Sequence, residues 1–248
     1  MPISRAEFEG AYPVLFHISL ARDVEQIMRH GLLSTTALLD LCEIEAEFRS
    51  RIEAHRRPKA ISISHPIHGE FLINDQAPMN ASALAKCLID LTPQQWCESL
   101  NNRVFLWPTR ERVTKHIGAK LAVGTKRIVL AFDTRSLFET LDVDLFELSP
   151  INSGNTMRKA APRGSSTFRR FRNYPFHERS KSVGIKSAIA EVTYPYAITP
   201  SQLTSIRVST EIFPGPRKNE TGEHRWHAKT TQFGASARQS LKAIPKEP

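Results

Sequence analysis

The stretch YPVLFHIS, residues 12–19, reads as a buried strand that ends on a polar pair. Tyr12, Val14, Leu15, Phe16 and Ile18 suit an interior strand, whereas His17 and Ser19 do not. Side chains two positions apart on a strand face the same way, so an imidazole and a hydroxyl point together. A buried polar group costs free energy unless it finds a partner. His17 is therefore either a satisfied core histidine or part of a site.

Outward from this strand the chain alternates short helices and strands. Residues 20–34 carry Val24, Ile27, Met28 and Leu32 at helical spacing, with Gly31 as the stop. Residues 36–57 read as one amphipathic helix closed before Pro58. Residues 59–66 alternate as a short strand, 68–79 as a strand and loop, and 82–91 as a helix. Thr92 and Pro93 open a helix as cap and first residue. RVFLWP (103–108) is a compact strand, 109–120 a helix capped by Thr109, KRIVLAFDT (126–134) a buried strand and 136–141 a short helix. Residues 148–186 are mostly Ser, Asn, Gly, Pro and Arg and read as a long irregular loop, a feature that is usually functional. SAIAEVTYPYAI (187–198) returns as a strand and 203–209 as a last one. The pattern predicts an α+β domain over residues 1–213, with a basic loop at 150–187, followed by a flexible basic tail at 214–248.

Composition narrows the class. At 248 residues the chain can bury a full core, and no run approaches the roughly 18 apolar residues of a membrane helix. No signal-peptide pattern opens it. Three cysteines without a CxxC pair argue for reduced thiols in a cytoplasmic setting and against a disulfide framework or zinc site. His65, His68 and Glu70 in a turn lack the helical geometry of a metalloprotease motif, so no metal is expected. The net charge of +9 is concentrated: residues 156–186 hold nine basic side chains against one acid, and 214–248 seven against three. A concentrated positive field attracts polyanions, nucleic acid above all.

Glu191 is the second anomaly, because strand formers flank it on both sides. A carboxylate there either faces solvent from an edge strand or faces a cleft with partners. The order of these features resembles the ADP-ribosyltransferase fold. The opening LFHIS…DVEQIMRHGLLS is similar to DNA-targeting toxin transferases of the DarT kind and to tRNA 2′-phosphotransferases. SAIAEVTYPYAITPSQLTSI is similar to the strand and exit turn that carry the catalytic glutamate in DarT-like enzymes. NRVFLW (102–107) and SPINSGNT (149–156) are similar to stretches of an uncharacterised bacterial family.

The resemblance spans residues 12–213. It implies two small packed β-sheets with flanking helices around an NAD cleft, with NAD consumed as substrate. By the resemblance, Glu191 is the catalytic glutamate, His17 bonds the adenosine ribose and Ser19 supports it. Phe105 stands where the family has a tyrosine or histidine against the nicotinamide, and Trp107 shares that role. Chemically, an aromatic wall holds the flat leaving group, and an arginine fork must meet the pyrophosphate. Arg103 is the first candidate for this, with Arg163 and Arg172 as alternates. Asn152, Ser153 and Asn155 either donate to NAD or close the loop. Ile189 stands two residues before Glu191, where enzymes that modify protein arginine carry Glu or Gln, so an arginine acceptor is not expected.

The acceptor side falls on the basic loop. TFRRFRNYPF (167–176) interleaves Phe168, Phe171 and Tyr174 with Arg169, Arg170 and Arg172, and Arg163 lies just before. Aromatics that stack bases among cations that hold phosphates make a single-strand surface; alternatively the aromatics anchor the loop to the core. The expected activity is NAD-dependent ADP-ribosyl transfer to DNA or RNA, in a toxin or antiviral defence effector with a possible cognate antitoxin. The rival readings are NAD hydrolysis, RNA 2′-phosphate transfer, or nucleic-acid binding without catalysis on the same fold.

Overall fold

Ser4 starts the first helix by accepting the Glu7 N–H, while the Glu7 carboxylate accepts the Ser4 N–H at 2.9 Å. This helix, α1 (Arg5–Ala11), was not among the expected elements, although its Ser-x-x-Glu capping signal is present in the sequence. It leads into β1 (Val14–Leu20) and α2 (Val24–His30). The expected stop at Gly31 has φ +87°, and a Cβ there would stand 2.2 Å from the Ile198 carbonyl oxygen. The chain then passes through β2 (Leu32–Leu33). The single helix expected over 36–57 is two, α3 (Thr35–Leu41) and α4 (Ala46–Glu53), broken where Glu43 takes φ 50°. The amphipathic pattern runs through the break because both helices bury residues, Leu39 and Ile52, in one cluster with Ile63, Phe71 and Ile73.

The computed structural model describes residues 2–120, 126–157 and 160–213, with three short strands beyond. The chain continues through the hairpin β3 (Ile61–His65) and β4 (Gly69–Ile73), then α5 (Ala81–Cys87), α6 (Pro93–Asn101), β5 (Arg103–Leu106), α7 (Arg110–Lys120), β6 (Arg127–Asp133), α8 (Thr134–Thr140) and β7 (Glu147–Ser149). After it come β8 (Arg169–Arg170), α9 (Phe176–Val183), α10 (Ile185–Ala188), β9 (Glu191–Pro195), β10 (Ala197–Ile198), α11 (Pro200–Ser205) and β11 (Val208–Phe213). The tail expected at 214–248 lies outside the described residues except for β12 (Arg217–Lys218), β13 (His224–Arg225) and β14 (Lys229–Thr230), the last pairing with β11. No helix among the described residues is long and apolar enough to cross a membrane.

The fold is α+β, with two four-stranded antiparallel sheets ordered β1-β6-β11-β14 and β5-β9-β7-β8. The main core brings together Leu15, Leu130 and Phe132 of the first with Leu106, Leu148 and Val192 of the second. On its other face the first sheet meets α7, where Val113 and Ile117 pack on Phe16, Val129 and Ala131. The second sheet meets α5 and α6, where Leu84, Trp96 and Leu100 pack with Phe105 and Phe168. Among the described residues, one isolated bridge links the backbones of the two sheets. Phe16 and Trp107 exchange both backbone hydrogen bonds, at 2.9 and 2.6 Å.

The segment 148–186 corrects the expectation of an irregular loop. It contains β8, α9 and α10, and buries Phe168, Phe171, Tyr174 and Phe176. Its Pro and Gly residues delimit short elements, and its aromatics bind those elements to the core.

Candidate active site

His17 sits where the two sheets part. Beyond the Phe16–Trp107 pair, the Phe105 carbonyl is met by a side chain: His17 Nδ1 lies 2.9 Å away. A carbonyl only accepts, so Nδ1 carries the proton. Burial lowers the imidazole pKa, with the Phe105 bond and Asp23 opposing. The ring is therefore neutral near pH 7, and its Nε2 is an acceptor. Ser19 does not support this ring as expected; its hydroxyl donates to Asp23 Oδ2 at 2.8 Å, and Asp23 also accepts the Leu20 N–H at 3.2 Å.

Glu191 is 3 % exposed at the start of β9. Strand pairing aligns it with Ser149 on one side. On the other, Leu106 opposite Val192 brings Trp107 level with Glu191 one step further. A single strand, β5, thus separates Glu191 from β1. The Ser153 N–H donates to both carboxylate oxygens, at 3.1 Å each. Burial pushes the carboxyl up to about 7, against the Ser153 bonds and the positive fields of Arg112 and Arg163. A group titrating there can give or take a proton at neutral pH.

Arg163 builds the wall behind this carboxylate. It is 2 % exposed and donates to the carbonyls of Ser153, Asn155 and Ala161, at 2.8, 3.1 and 3.1 Å. Of the two readings of the Ser153 segment, the loop-closing one describes the Ser153 N–H: it serves Glu191. Asn152 is half-buried beside it.

A family model matches residues 13–203, that of a family of unknown function, DUF7002. The chain belongs to this family. The matched span opens at the edge of β1 and closes inside α11, so the family's shared segment contains His17, Glu191 and the whole of 150–187. No curated protein matches the chain.

Several expected site residues of this DUF7002 chain have other work. Arg103 donates to Glu147 at 2.8 and 3.2 Å and to the Ser99 carbonyl, and lies 4.2 Å over the Phe168 ring. It is spent on the outer face of the second sheet and is not placed to meet a pyrophosphate. Phe105 is on that face too, edge-on to Phe168 at 6.2 Å in the cluster with Trp96. Trp107 packs instead toward α7, 5.1 Å from the His116 ring. Phe168, Phe171 and Tyr174 are 7, 6 and 1 % exposed. They anchor the segment and cannot stack bases, because each finds apolar partners inside. Arg170 pairs with Glu147 at 3.6 Å and donates to the Asp144 carbonyl, whereas Arg169 and Arg172 are exposed.

Arg112 on α7 escaped the sequence reading. Its charge is felt by Glu191, Tyr12 and Tyr174, and among the described residues its guanidinium has no hydrogen-bond or ion-pair partner. A basic helix face looks the same in sequence whether it meets solvent or a buried carboxylate, so no signal marked it.

Proposed function

We propose that this protein transfers ADP-ribose from NAD to a nucleic acid in the cytoplasm, as a toxin or antiviral defence effector with a cognate antitoxin. One observation carries the reading: a buried carboxyl titrating near 7 stands one strand from a split between two sheets that holds a neutral histidine. The resemblance to the ADP-ribosyltransferase fold gives each of these groups a job.

His17 Nε2 accepts from a ribose hydroxyl. As the nicotinamide–ribose bond breaks, nicotinamide leaves with the bonding electrons and positive charge develops at the ribose carbon. Glu191 in its charged form stabilises that carbon and takes the proton of the attacking acceptor group. Arg112 supplies the phosphate contact in place of Arg103. The acceptor strand runs over exposed Arg169 and Arg172. Ile189, fully buried in the main core, contacts no acceptor of any kind.

The test follows a label on the adenylate half of NAD, incubated with DNA and RNA oligonucleotides and with 2′-phosphorylated RNA. Label joined to an oligonucleotide supports the proposal. Label released as free ADP-ribose makes the protein an NAD hydrolase, and loss of the 2′-phosphate makes it a phosphotransferase. NAD left intact throughout would leave only nucleic-acid binding.

A further inference from the structure

The segment 150–187 folds around a cleft of about 230 Å3. Arg163, Arg169 and Arg179 line it together with Ser166, Thr167 and Tyr174, and no acidic residue does. Three of the nine basic residues counted in 156–186 thus meet at one concavity.

The three arginines have only neutral partners. Arg163 is spent on the carbonyls of Ser153, Asn155 and Ala161. Arg179 donates from Nε to the Ala188 carbonyl at 3.0 Å and from Nη2 to the Pro150 carbonyl at 3.3 Å. Arg169 donates only from Nε, to the Ser166 carbonyl at 3.0 Å; both its terminal nitrogens are without a partner among the described residues. Carbonyls satisfy hydrogen bonds but cancel no charge. Arg170 shows the contrast, since it faces Glu147. Asp90, at the neighbouring Ser165, is held by that residue's N–H at 2.9 Å and by its hydroxyl and does not line the cleft. Glu191 is felt by Arg163 from behind, but no carboxylate lines the cleft itself, so its field stays positive and favours an anion.

We infer that this cleft binds a phosphate group, carried by a small phosphomonoester or by the end of a nucleic-acid strand. A guanidinium fork matches phosphate oxygens; Arg169 offers a free one, and the charges of Arg163 and Arg179 add to its field. The volume lies below the roughly 300–1,000 Å3 of pockets that enclose drug-sized ligands, so the cleft takes a phosphate with a small attached group and not a whole dinucleotide. Arg163 connects it to the carboxylate site: the same residue lines the cleft and holds the Ser153 carbonyl, while the Ser153 N–H serves Glu191. Phosphate binding stands on the cleft alone; only its role as the acceptor's anchor rests on the proposed transfer reaction.

Thermal melting of the full chain tests this, with inorganic phosphate, a nucleoside monophosphate, and one oligonucleotide with and without a 5′-phosphate. Chloride at equal ionic strength is the control. Phosphate is expected to raise Tm above the control. Arg169→Glu, at an exposed position, should melt no lower than wild type without ligand and bind phosphate about tenfold more weakly or worse. A gain confined to the 5′-phosphorylated strand identifies a strand end as the ligand; a matching gain with the monophosphate identifies a small phosphomonoester. Glu191→Gln should keep the phosphate shift, which separates this site from the reaction. No shift above chloride in wild type, or an undiminished shift in Arg169→Glu, overturns the inference.

Discussion

Glu191 and His17 pull the pH dependence of stability in opposite directions. The Glu191 carboxyl is raised from 4.5 to about 7, so the folded state holds a proton that the unfolded state releases between those values. Its contribution is fully present below pH 4.5 and is lost as pH rises through 7, a span worth roughly 3 kcal/mol. Glu191→Gln should therefore gain stability relative to wild type between pH 5 and pH 8, seen as a widening Tm difference of about 6–12 °C. Burial lowers the His17 pKa instead, and the folded state loses stability as pH falls through the imidazole range. His17→Ala should blunt that acid loss and weaken NAD binding, measured as a smaller Tm rise with NAD. Both residues were legible in the sequence because each interrupts a run of strand formers, where a polar side chain without purpose is costly. Arg112 and the clamp role of Arg163 were not, since the partners of an arginine are set by packing that no local pattern encodes.

Elements with strong periodicity, such as β1, β6 and α6, follow from the sequence almost residue by residue. The break between α3 and α4 does not, because Glu43 at positive φ carries none of the Gly or Asn signal that normally announces such a turn. Segment 148–186 misled for a different reason: its turn-rich composition hides aromatics spaced to reach the core. At Gly31 the sequence and the structure agree, and the position is strict. Gly31→Ala would press a Cβ against the Ile198 carbonyl oxygen at 2.2 Å and strain φ +87°, so urea denaturation should show a loss of about 2 kcal/mol or more. Arg163→Met should cost about 3 kcal/mol by leaving the buried Ser153 carbonyl and the part-buried carbonyls of Asn155 and Ala161 without their donor. Arg172→Met, at an exposed position, should cost almost nothing.

At the scale of the molecule, charge and site lie in one segment. Three arginines of 156–186 line the phosphate cleft, and one of them, Arg163, reaches toward Glu191 through Ser153. Arg169 and Arg172 are exposed in this segment, whereas Arg170 shares Glu147 with Arg103. Replacing Arg169 and Arg172 with Ala should flatten the log–log salt dependence of single-strand binding by about 1.4, the release expected for two phosphates. Replacing Arg170 should leave that slope unchanged. The central claim is that Glu191 does the chemistry, and the rate of NAD consumption as a function of pH tests it most directly. Wild type should accelerate from pH 6 to 8 with a midpoint near 7, as the carboxylate ionises, while folded Glu191→Gln should be slower by about 100-fold or more throughout. Equal turnover in wild type and folded Glu191→Gln, across that range, would contradict the account.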